Sequence, residues 1–167
     1  MMTDRTARLA LPLLHSSQAQ KEMTHNEALT CIDLLLHGGI EGVGEDTPPA
    51  TAQPGQCWIV GDAPVGAWAG SARRVAGMTA GGWRFVAPRE GMALWWAGGE
   101  TTVVFRGAQW RIGELHARRL MVEGTAVVGA QRPAIPGANG GNVRDVEARA
   151  TLDTVLTALR DHGLIGR

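Results

Sequence analysis

The sequence predicts an α+β protein: an N-terminal helix, a small antiparallel β-sandwich or barrel built as a meander, and a C-terminal hairpin and helix. Two observations carry that reading. Between residues 57 and 112 the chain breaks into short β-type runs, "CWIVG", "GAWAG", "RVAGMT", "GGWRFVAP", "MALWWAGG", "TTVVFRG" and "AQWRIG", with glycine turns between them. On either side of that region, apolar residues return at three- and four-residue steps, the period of a half-buried helix. The runs share no fixed period, so a solenoid is excluded.

The elements follow in order. Residues 1–40 are a lead-in and helix suited to docking or oligomerisation, 41–56 a loop, 57–112 a Trp-rich β module, and 113–167 the hairpin, a Pro/Gly loop and the closing helix. In the first segment Ser17 with Gln20, and Thr24 with Glu27, fit the capping-box pattern. Ala28, Leu29, Ile32, Leu35 and Leu36 then form an apolar stripe, and Gly38-Gly39 stops the helix. "EGVGEDTPPATAQPGQ" has the Gly, Pro and acidic content of a loop. "RLMVEGTAVVG" reads as a hairpin turning at Glu123-Gly124. The last helix spans about Asp145 to Asp161, with Val146, Leu152, Val155, Leu156 and Leu159 on one face. It is too short to stand alone in water and must pack on something.

At 167 residues, with 44% apolar and 19% charged residues, the chain has the size and composition of one folded domain, or of a small domain with appendages. Sixteen basic residues balance sixteen acidic ones, which removes any general attraction to nucleic acid. The opening "LALPLL" is too short for a signal peptide, and no apolar run is long enough to enter a membrane. Cys31 and Cys57 lack CxxC spacing and read as reduced thiols.

Catalytic signatures are missing: there is no GxSxG, no Walker loop and no GxGxxG after a strand. Glu22, His25 and Glu27 resemble a metal-binding helix at first sight. A zincin pattern needs two histidines four residues apart, however, and Glu27 points away from the other two. No metal, no cofactor and no catalytic set are expected. The six tryptophans all lie in the β module, where most should build the core of the small barrel. The adjacent pair Trp95 and Trp96 differs, because neighbours on a strand face opposite sides and one ring must point outward. That ring is a candidate for carbohydrate or interface binding. Leu29, Ile32 and Leu36 on one helix and Leu152, Val155 and Leu159 on the other are candidate oligomer or docking surfaces.

At "LALPLLHSSQAQKEMTHNEAL", "GAWAG" and "GGWRFVAPREGMALWW" the chain resembles a phage-associated domain of unknown function. That domain occurs in tail-fibre and spike proteins and in gene transfer agents. The ending "GTAVVGAQRPAIPGANGGNVRDVEARATLDTVLTALRDHGLI" is similar to the closing segment of many phage tail and fibre proteins. The resemblance implies a virion component made in the bacterial cytoplasm and carried on a particle surface: a spike or fibre base supporting attachment to a host-cell surface polysaccharide. Its expected partners are itself, as a trimer or pentamer, other virion proteins such as a capsid vertex or receptor-binding protein, and the polysaccharide. Two alternatives stay open: a carbohydrate-binding module that contacts the glycan directly, and a small glycan hydrolase or esterase.

Overall fold

The computed structural model describes residues 5–14 and 21–166. The chain divides into two compact units, Met1–Glu114 and Leu115–Arg167. The α+β expectation holds: the described residues form a helix in each unit and ten strands.

In the first unit, α1 (Lys21–Leu35) is followed by eight strands: β1 (Gly39–Ile40), β2 (Gly42–Glu45), β3 (Cys57–Val60), β4 (Val75–Thr79), β5 (Gly82–Val86), β6 (Ala93–Trp96), β7 (Thr101–Arg106) and β8 (Gln109–Ile112). They form two four-stranded sheets, β2-β3-β4-β5 and β1-β6-β7-β8, and neither closes into a barrel. The meander is antiparallel except at two places: β1 runs parallel to β6, and β2 parallel to β3. Between them the chain changes sheets at Glu41, whose N–H donates to Cys57 O at 2.8 Å and whose carbonyl accepts from Trp96 Nε1 at 3.3 Å. Placing β2 inside the expected 41–56 loop corrects the sequence reading. Its glycines disguise it, and Gly44 takes a φ of 77° that a side chain would resist.

One core joins Cys57, Ile59 and Val75 of the first sheet, Ile40, Leu94 and Val103 of the second, and Leu34 of α1. Close approach requires glycine twice: a Cβ on Gly77 would collide with Leu34, and one on Gly38 with Leu94. The β3 run "CWIV" has no alternation because it is buried on both faces. Cys57 and Ile59 face the shared core, while Trp58 and Val60 join Trp68 and Ala76 in a second cluster.

That second cluster revises two expectations. "GAWAG" is not a strand but a 3₁₀ turn, Gly66–Trp68, which buries Trp68 completely. Trp58, Trp68 and Trp83 pack together with ring centroids 5.2–6.3 Å apart, Trp83 meeting both others edge-to-face. The tryptophan cage therefore covers the outer face of one sheet and does not fill a barrel.

The second unit holds β9 (Leu120–Val122) and β10 (Thr125–Val128), an antiparallel hairpin, and α2 (Val146–Asp161). Glu123 and Gly124 both have positive φ, 46° and 78°, the backbone of a two-residue turn matched to strand twist. Asp145 caps α2 by accepting from Ala148 N at 2.8 Å. Arg149 reaches the carbonyls of Ala138 and Gly140, and Arg160 that of Ile135, which ties the Pro/Gly loop to the helix.

Candidate functional site

The expected apolar stripe of α1 is only partly the buried one. Asp33 and Leu34 are buried and Asn26, Thr30 and Leu29 half-buried, whereas Ile32 is 47% and Leu36 49% exposed. The reason is the lead-in, which hydrophobicity does not detect because it is held by polar groups. The Asp33 carboxylate accepts from Thr6 Oγ1 (2.7 Å), Arg8 N (2.8 Å) and Leu9 N (2.6 Å). The Arg8 guanidinium donates to the carbonyls of Asp33, Leu34 and His37 at 2.7–3.0 Å, where the helix leaves its C-terminal carbonyls unpaired. Asn26 exchanges two hydrogen bonds with the backbone of Leu14. Half of the helix's inward face is thus polar by design of the packing, and Ile32 and Leu36 turn outward.

Of the acid–histidine group, Glu27 pairs with Arg84 on β5 at 2.6 Å, and His25 is exposed. Among the described residues no three His, Cys, Asp or Glu side chains gather around a common point. The Thr24–Glu27 capping box is not formed, since Thr24 lies within α1; the Ser17–Gln20 pair lies outside the described residues. Burial pushes the Cys57 thiol up to about 11, with smaller contributions from Asp33 and Glu41 and opposed by Arg8. Cys31 is raised as well, by burial and by Glu27. Neither is an activated nucleophile.

Trp95 and Trp96 point to opposite sides of β6. Trp96 is half-buried against the shared core, and Trp95 is 51% exposed. Trp95 sits on the outer face of its sheet between Gly39 on β1 and Thr102 on β7, with Ala93 two positions back beside Val104. Small neighbours leave the indole standing clear.

The second unit contrasts with this. Among its described residues, only Leu156 and Ile165 are buried. Leu152 and Val155 of α2 are about half exposed, and Leu159 is partly covered. Leu120, Met121, Val122, Val127 and Val128 are all exposed, so both faces of the hairpin lie open. Among the described residues, no helix is long and apolar enough to cross a membrane.

A polar cleft that sequence reading missed lies in the first unit. About 250 Å³ in volume, it is walled by Val43, Gly44, Ile59, Val60, Gly61, Asp62, Arg73, Gln109 and Trp110. Arg73 Nε donates to Asp62 Oδ1 at 2.6 Å and Nη1 to Ala108 O at 3.2 Å, while Trp110 Nε1 donates to Arg73 O at 2.8 Å. These residues are far apart in sequence and belong to no motif, so nothing short of the topology brings them together.

A family model described as "protein of unknown function (DUF2793)" matches residues 25–111, which is 87 of the 167 residues and lies wholly within the first unit. No curated protein matches the chain. The chain belongs to that family.

Proposed function

We propose that this member of the family is a non-catalytic, self-assembling component of a phage-like particle, the base of a spike or fibre that supports attachment to a host-cell surface polysaccharide. The particle assignment rests on the resemblance of the N-terminal, tryptophan-bearing and closing segments to tail-fibre and spike proteins. The assembly assignment rests on one observation: the second unit leaves both hairpin faces and the Leu152–Val155 side of α2 exposed. A lone two-stranded hairpin is marginal in water, and a unit of this size with so few buried side chains has little to hold it together. Burying a leucine- or valine-type side chain contributes roughly 1.5–3 kcal/mol. Identical copies around an axis supply the missing cover, and a closed ring is the usual solution, here a trimer or pentamer.

Native mass spectrometry of the full chain tests this. The expected result is one closed oligomer that Leu152→Asp together with Val127→Asp converts to monomer. A stable monomer at micromolar concentration, unchanged by those substitutions, would count against it.

A second reading, direct glycan contact by the first unit, is favoured by the exposed Trp95 face. On that reading Trp95→Ala costs about 2 kcal/mol or more of glycan binding. Hydrolysis is less supported, because the polar cleft is lined by a single carboxylate, Asp62, where a glycosidase needs a pair.

A further inference from the structure

We propose that the cleft between the two sheets of the first unit is a binding site for a single pyranose-type sugar unit, held through a vicinal diol. This goes beyond the assembly reading and does not depend on it, since every lining residue lies within the first unit.

The size is the first consideration. At about 250 Å³ the cleft falls just below the range of sites for drug-sized ligands, so it has room for one ring and not for a chain. The chemistry is the second. Asp62 and Arg73 stand at the mouth with side chains 76% and 48% exposed. Asp62 Oδ1 is taken by Arg73 Nε, which leaves Oδ2 to accept a hydroxyl proton. Among the described residues, Arg73 Nη2 and the Gln109 amide have no hydrogen-bond partner, and both can donate to hydroxyl oxygens. A carboxylate beside a guanidinium matches two adjacent hydroxyls, one donating and one accepting, and the pair is neutral as a neutral sugar requires. Trp110 and Val43 supply apolar wall for the C–H faces of the ring.

The third consideration is backbone strain at this spot. Arg73 has φ 61° and Ala108 φ 60°, a left-handed conformation in which glycine or asparagine would cost less. The two are joined by the Arg73 Nη1–Ala108 O bond. Arg73 N also donates to both Val60 O and Gly61 O at 3.2 Å. The bonds to Asp62 and Ala108 hold the guanidinium at the mouth, where glycine would satisfy the turn but supply no donor. An exposed ion pair contributes little to stability, so stability alone gives weak reason for an arginine in that conformation.

Protein-observed NMR of the full chain tests the site, with the methyl glycosides of glucose, galactose, mannose and rhamnose as probes. At least one glycoside is expected to shift the Gly44 and Gly61 amides and the Trp110 indole N–H saturably, with a Kd on the order of millimolar. Gln109→Ala removes no hydrogen bond within the fold and should weaken binding about tenfold, as should Asp62→Asn. Unchanged thermal unfolding of Gln109→Ala separates lost binding from lost structure. The proposal is overturned if no glycoside moves those signals, or if their shifts persist in both variants. It is equally overturned if the shifts centre on Trp95 and vanish only in Trp95→Ala.

Discussion

Two four-residue strands, β3 and β10, are both mainly apolar, "CWIV" and "TAVV", and have opposite fates. All four residues of β3 are buried, and all four of β10 are exposed. The difference lies in what surrounds each. β3 is an inner strand of a four-stranded sheet, with the shared core on one face and the tryptophan cage on the other. Among the described residues, β10 pairs only with β9. An apolar strand states a demand for cover, and the first unit meets that demand from its own chain while the second does not.

The largest expected effect breaks the cover of β3. Trp68 is fully buried against Trp58 and Trp83, so Trp68→Ala should cost about 3–5 kcal/mol in denaturant unfolding of the first unit. The equivalent truncation on the open hairpin, Val127→Ala, should change the stability of the monomer by about 0.5 kcal/mol or less.

Next comes pH. Burial raises the Cys57 thiol from its ordinary value of 9.0 to about 11. The unfolded chain therefore releases this proton first, and the stability the neutral thiol contributes is present below pH 9 and lost as pH rises towards 11. The loss should reach about 2–3 kcal/mol and be absent in Cys57→Ala, as thermal unfolding across that range would reveal.

The same contrast occurs within one helix, α1. Leu34→Ala should cost about 2–5 kcal/mol, and Ile32→Ala or Leu36→Ala about 0.5 kcal/mol or less in the monomer. Equal costs at the three positions would mean that the helix presents a different face.

Much of the fold was legible in the sequence for physical reasons. Glycine punctuation and the β-branched and aromatic run of "TTVVFRG" mark strands, and Asp145 marks the start of α2. The reading failed where hydrophobicity is a poor guide to cover. The buried face of α1 does not follow its apolar stripe, because Asn26 and Asp33 hold the lead-in by hydrogen bonds. β2 was missed because glycines weaken its pattern, and "GAWAG" was misread because a turn and a strand share that composition. Of the candidate sites, the outward ring at Trp95 follows from strand alternation alone. The Asp62–Arg73–Gln109 cleft was invisible, since its residues come together only through the crossing of the two sheets.

The most direct test of the central claim is hydrogen exchange of the full chain at two protein concentrations, comparing β3 with β10. Exchange of β3 amides should be slow and independent of concentration, because their cover is intramolecular. Amides of β9, β10 and the Leu152–Leu159 stretch of α2 should exchange quickly at low concentration and gain protection as the protein associates. Slow exchange of β10 in a dilute monomer, equal to that of β3, would contradict the account.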